Sequence, residues 1–220
     1  MILPDKIIRS KRKTLSLCVK STGEVIVRAP LKISEEKIHA FVQEKQGWLE
    51  SQKRKRERAG VRLPTETVDG YPLPILGEYY QITLFDGAAI RLDTQAKRLY
   101  LPKEKTEKRL VVWLKENALR IFTLQTERLA AKMGLRFQSV SISLAKTRWG
   151  TCSSEGKIRY TYRLLYAPRE VVDYVIVHEL AHLKFMNHGK AFWSLVERYV
   201  PEYKRLRKWL KDRGALMEIF

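Results

Sequence analysis

Two histidines spaced four residues apart in an otherwise apolar run constrain this chain more than any other feature. In VVDYVIVHELAHLKFM, residues 171–186, the run is long enough and apolar enough to form a buried helix. His178 and His182 then lie about 40° apart around the axis and one turn apart along it, so a single metal ion reaches both imidazoles. Glu179 follows the first histidine, where its carboxylate can take a proton from a water activated by that metal. Zinc lowers the pKa of such a water from about 16 toward 7 and polarises a scissile carbonyl. The pattern is the H-E-x-x-H arrangement of zinc metalloproteases. With 4 His and 18 Glu in 220 residues, a shuffled chain would contain it about 0.006 times. Two imidazoles used only for packing would be costly among these neighbours unless they were paired or metal-bound.

A catalytic zinc takes three protein ligands and keeps one position open. His188 is the leading candidate for the third. On a continuous helix it would point about 80° away from His178 and lie about 15 Å further along, so the helix must stop before it. Asn187 tolerates the left-handed conformation that ends helices and Gly189 follows, which makes Asn187–His188–Gly189 the expected turn. A carboxylate on the following helix, Glu197 or less favourably Glu202, is the competing third ligand. His39 reads as a surface or packing residue. Cys152 lacks the partner cysteines that a thiolate site needs.

Upstream, KTRWGTCSSEGKIRYTYRLL places Arg148, Trp149 and Gly150 before a strand expected to lie beside the histidine helix. Extended substrates bind along such edges, which makes Arg148 and Trp149 candidate substrate-binding residues, Arg148 for a developing oxyanion or a carboxylate. Packing of Trp149 in the core, with Gly150 making a turn, is the alternative.

The chain carries 43 Lys and Arg against 24 Asp and Glu, a formal charge of +19. A field of that sign attracts polyanions. The excess is concentrated in RSKRK at 9–13, SQKRKRERAG at 51–60 and YKRLRKWLKDR at 203–213, so contact with nucleic acid or an acidic substrate is an open expectation beside that of a solvated basic face. No zinc knuckle, RRM aromatic motif or GxxG clamp is present. Two cysteines are too few for a disulfide framework. No stretch approaches the roughly 18 apolar residues of a membrane span, and the N-terminus lacks the apolar core of a signal peptide. A cytoplasmic location is expected. Oligomeric state is not legible.

Along the chain, residues 14–29 alternate around Thr22–Gly23 as a hairpin. Ser34, Glu35 and Glu36 then open a helix that runs toward the basic cluster. EYYQITLF, AAIRLDT and KRLYLP read as three strands. From Thr106 a long helix extends to a C-capping Gly134. SVSISLA and IRYTYRLLYAP follow as strands, then the histidine helix and two short terminal helices. The expectation is an α+β protein with a change of character near residue 104: a β-rich N-terminal module with one helix over 1–103, contacting substrate or partner, and a catalytic domain over 104–220.

TRWGTCSSEGKI, VVDYVIVHELAHL, NHGKAFW and VPEYKRLRKWL, with RSKRKTLSLCVKSTGEVIVRAP and GEYYQI further upstream, resemble the YgjP-like family of zinc metallopeptidases along nearly the whole chain. The resemblance implies zinc held by His178, His182 and His188, Glu179 as catalytic base, and a minimal zincin core related to SprT-like proteases. A peptide or protein substrate follows from it, in some relatives on nucleic acid. Two positions depart from the family pattern: Gly189, where serine is usual, and Thr161, where asparagine is usual. Two other functions compete: a metal-dependent phosphohydrolase acting on nucleotides, and a nucleic-acid-associated protein whose zinc site is structural.

Overall fold

The computed structural model describes residues 3–19, 24–51 and 69–213. The chain divides into two compact units, residues 1–62 and 63–220.

In the first unit, β1 (Lys6–Ser10), β2 (Ser16–Val19) and β3 (Val25–Pro30) form a sheet in the order β1-β3-β2, with β1 parallel and β2 antiparallel to β3. The hairpin pairing of β2 with β3 is present. Its expected turn at Thr22–Gly23 lies outside the described residues. Helix α1 (Glu35–Glu44) starts where the capping pattern puts it, the Ser34 side chain accepting from the Lys37 N–H. Ile38 and Val42 of α1 pack with Val25, Val27 and Ala29 of β3 to form a small core. The helix pauses at Lys45 and helical backbone resumes over 46–51; the basic cluster from 52 onward lies outside the described residues. Of the basic RSKRK run, Arg9 is used structurally, its guanidinium donating to the Ile33 carbonyl at 2.6 Å.

The second unit begins with β4 (Pro72–Ile75), β5 (Glu78–Phe85), β6 (Arg91–Asp93) and β7 (Arg98–Pro102), in the order β4-β5-β7-β6. Helix α2 (Thr106–Met133) follows, ended by Gly134 at φ 65°, the left-handed cap that glycine adopts without a Cβ penalty. Next come β8 (Ser139–Ser143), β9 (Gly150–Cys152) and β10 (Lys157–Thr161), with β10 central, β8 parallel to it and β9 antiparallel at the edge. A 3-10 turn over Tyr162–Tyr166 leads into α3 (Arg169–His182), α4 (Lys190–Tyr199) and α5 (Tyr203–Asp212).

The division at 62/63 differs from the change of character expected at residue 104. Strands β4 to β7 read as a continuation of the β-rich module because secondary structure alone does not say which core a strand joins. Their inward residues Leu73, Ile82, Leu99 and Leu101 share one core with Leu110, Leu114 and Phe122 of α2 and with α3. Phe122 is fully buried and packs edge-on against Tyr160 of β10 at 5.6 Å between centroids. Phe122→Ala is expected to cost about 3–5 kcal/mol in a urea unfolding experiment, as large-to-small core changes do.

Helix α3 is apolar all round because it is enclosed on all sides: Val171, Val172, Val175, Ile176, Val177, Leu180 and Ala181 are all buried, and α2, α4, α5 and β9 pack on it.

Candidate metal centre

Helix α3 brings His178 and His182 to the same side, as the i, i+4 spacing requires, with ring centroids 5.0 Å apart. The helix ends at His182, earlier than the expected turn at Asn187. Leu183 is the C-cap in right-handed helical conformation, and the Lys184 and Phe185 amides both bond the Ala181 carbonyl. This tight closure needs no left-handed residue, so neither glycine nor asparagine marks it in the sequence. It has two effects. The chain reverses and returns His188 to the pair, its Nε2 lying 3.1 Å from Nε2 of His178. The Phe185 carbonyl also lies 3.1 Å from Nδ1 of His182. A carbonyl only accepts, so Nδ1 carries the proton and the lone pair of His182 is at Nε2.

The ligand atoms of His178, His182 and His188 all lie within 4.8 Å of one another. Glu197 is exposed, and Glu202 is engaged with Arg205 at 2.9 Å; among the described residues neither joins the cluster. His39 is exposed on α1. Gly189 precedes α4 at φ −73°, ordinary extended backbone that serine would also adopt, so that departure from the family pattern carries no conformational demand.

Glu179 is only 5% exposed. Its neighbour across the site is Gly150 of the edge strand β9. A Cβ on Gly150 would fall 2.6 Å from Oε1 of Glu179 and 2.8 Å from its Cδ, so the glycine leaves the space that the carboxylate fills. Sequence reasoning took Gly150 for a turn or an edge-strand residue and missed this contact. Only the proximity of WG to a strand hinted at it. Trp149 is half-buried against the core, its carbonyl accepting from the Thr161 amide at 3.0 Å. Arg148 is exposed. Thr161 is fully buried, and its hydroxyl donates to the Ala145 carbonyl, tying the loop before β9 to β10. Cys152 is a poor ligand, because burial, and then Glu179, push its thiol up to about 11.

A second missed group is the aromatic wall on α4. Phe192 is fully buried, with its ring 4.7–4.9 Å from each of the three histidine rings. Trp193 lies 5.8 Å from His178 and 5.6 Å from His188. The histidines do not line the cleft of about 150 Å³ beside Arg120 and Arg169.

Burial is the main cause that lowers His178 to about 3, with His182, His188 and Arg207 adding to it. It lowers His182 as well and raises Glu179 to about 8. An unfolded histidine takes up a proton below 6.5 and folded His178 resists it down to about 3, so stability is lost as pH falls through that range. An unfolded glutamate ionises above 4.5 whereas folded Glu179 holds its proton to about 8, so stability is also lost as pH rises between those values. The slopes oppose one another between 4.5 and 6.5. Metal-free protein is therefore expected to be most stable in that window, declining on either side in urea titrations across pH. Saturating zinc, which needs neutral imidazoles, should move the maximum upward.

The donor set fits a borderline divalent cation: three imidazole nitrogens converge where a hard oxygen-seeking ion would find no carboxylate cage.

The chain belongs to the YgjP-like family, whose metallopeptidase domain matches residues 13–213. It is 33% identical over 72 residues to the UTP pyrophosphatase of Escherichia coli (strain K12), a match covering 31% of this chain and 43% of that protein. Two solved structures are similar. The zymogen of abylysin from Pyrococcus abyssi, a metallopeptidase, is 27% identical with a TM-score of 0.38, covering 41% of this chain and 92% of that one. The metallopeptidase zymogen of jannalysin from Methanocaldococcus jannaschii is 18% identical with a TM-score of 0.38, covering 42% of this chain and 95% of that one. The matching family model is that of a metallopeptidase domain, and the chain spans less than half the length of the curated relative it matches. Among the described residues no helix is long and apolar enough to cross a membrane.

Proposed function

We propose that the chain is a zinc-dependent peptidase in which His178, His182 and His188 hold the ion and Glu179 is the general base. The observation that carries this reading is the convergence of the three histidine ligand atoms within 4.8 Å beside a buried glutamate. Zinc bound there supplies Lewis-acid polarisation of the scissile carbonyl and acidifies a water. His182 is fixed in the tautomer that offers Nε2, and Phe192 keeps water from the inner side of the imidazoles. Glu179, ionised when a cation lies beside it, takes the proton of the attacking water at its carboxylate and delivers it to the leaving amine. Among the described residues the edge strand β9 has one unpaired side, on which an extended peptide can add, with Trp149 and Arg148 at its entrance as substrate-binding residues. A zincin-like core of the SprT-related kind and a cytoplasmic setting accompany this proposal.

A second reading is favoured by one observation: the 72-residue similarity to a UTP pyrophosphatase. In it the same site cleaves a phosphoanhydride, and the +19 charge draws the nucleotide in. The two readings separate when zinc-loaded protein is offered a denatured protein and, separately, UTP. Peptide fragments with UTP intact support the peptidase. In either case His188→Ala is expected to weaken zinc binding more than about 100-fold, beyond the loss seen when an outer-shell partner is removed, as measured by competition with a chelator. Unchanged affinity would transfer the third ligand elsewhere.

A further inference from the structure

Helix α5 is amphipathic, burying Tyr203, Leu206 and Leu210 and turning its basic residues outward. Two of its five basic residues are paired, Arg205 with Glu202 at 2.9 Å and Lys208 with Asp212 at 2.6 Å. Arg207 is not one of them. Among the described residues it has no carboxylate within ion-pair distance. Its guanidinium lies over the ring of Trp193, 4.9 Å from the centroid. Trp193 is also stacked with Tyr203 at 5.2 Å and 17°, and its ring flanks His178 and His188.

We infer that Arg207, fixed on Trp193, forms an anion-recognising subsite beside the metal-binding histidines, so that the substrate carries a carboxylate or phosphate group next to the bond that is cleaved. A guanidinium held over an aromatic ring keeps its N–H donors available to an oxyanion that arrives beside the histidines. The stack removes much of the rotamer freedom that a free arginine would lose on binding. Trp193 places this cation next to two of the histidines, and a cation kept only for solubility would gain nothing beside a site that gathers a cation of its own. It adds repulsion there, which an anionic substrate relieves.

The inference rests on the hydrolase reading above and deepens it. Zinc-loaded Glu179→Gln protein, which keeps all three histidines, is titrated calorimetrically with a blocked alanine peptide, the same peptide bearing one aspartate, and inorganic tripolyphosphate. The titrations are repeated with Arg207→Gln added, zinc content being measured in each protein. Glutamine keeps a planar polar end while removing the charge and shortening the side chain, and the alanine peptide reports any general disturbance that this causes. The expected result is a loss of about tenfold for an anionic ligand, the size of one charge-assisted hydrogen bond, with the alanine peptide and zinc content unchanged. Loss confined to the aspartyl peptide assigns the subsite to carboxylates, and loss confined to tripolyphosphate assigns it to phosphates. Equal losses for all three ligands, or none for either anion, overturn the inference and make Arg207 a packing residue. Failure of the hydrolase reading is a separate outcome: the protein with native Glu179 would then turn over neither peptide nor nucleotide.

Discussion

Glu179→Gln is expected to lower hydrolysis by about a hundred- to ten-thousand-fold, the range a positioned general base contributes, with zinc content unchanged. Glutamine fills the same space beside Gly150 and leaves His178, His182 and His188 in place, so the loss is one of proton transfer and not of binding. The same change has a stability signature of opposite sign. Metal-free Glu179 is held up to about 8 by burial, so ionising the unfolded chain drains stability between 4.5 and about 8, by about 1.4 kcal/mol per pH unit at most. The amide has no proton to lose. Metal-free Glu179→Gln should therefore be more stable than its parent above about pH 5, the gap widening toward pH 8. Urea denaturation at several pH values checks this, and a variant equally destabilised at every pH would show that the carboxylate is held by bonds the structure does not contain.

The second large effect is expected at Gly150. An alanine there sets its methyl carbon 2.6 Å from Oε1 of Glu179, well inside contact distance. The atoms met are Oε1, Cδ and Cγ of a buried side chain, so the glutamate is driven to another rotamer at a cost of about 1–3 kcal/mol, as for overpacked sites. Activity should fall about a hundredfold, because an error near 1 Å in a catalytic group has that consequence. Zinc affinity should be unchanged, since no histidine touches β9 through Gly150. The contrast is the test: kcat collapses while metal content holds. Equal loss of zinc would show that β9 supports the ligands and not the base.

What the sequence made legible follows from the range of the interactions. The i, i+4 geometry of His178 and His182, the Ser34 cap and the Gly134 terminus are local, and each is written in a few adjacent residues. The end of α3 at His182 is local too, yet it was placed at Asn187, because a helix closed by right-handed Leu183 and a shared Ala181 carbonyl uses no residue type that signals a stop. The grouping of β4 to β7 with α2 depends on which core Leu73, Ile82, Leu99 and Leu101 enter, and strand periodicity cannot carry that. Nor could spacing reveal that Gly150 makes room for Glu179, twenty-nine residues away, or that Phe192, Trp193 and Arg207 gather at the histidines. Thr161, a departure from the family pattern, is buried, and its hydroxyl holds the loop at Ala145.

The account stands on three imidazoles sharing one ion beside Glu179. Diffraction from zinc-loaded crystals at wavelengths on either side of the zinc absorption edge measures this directly. One anomalous peak is predicted, about 2.0–2.1 Å from Nε2 of His178, Nε2 of His182 and the facing nitrogen of His188, with the fourth position free of protein. A peak held by a fourth protein ligand, or centred away from these histidines, would contradict it.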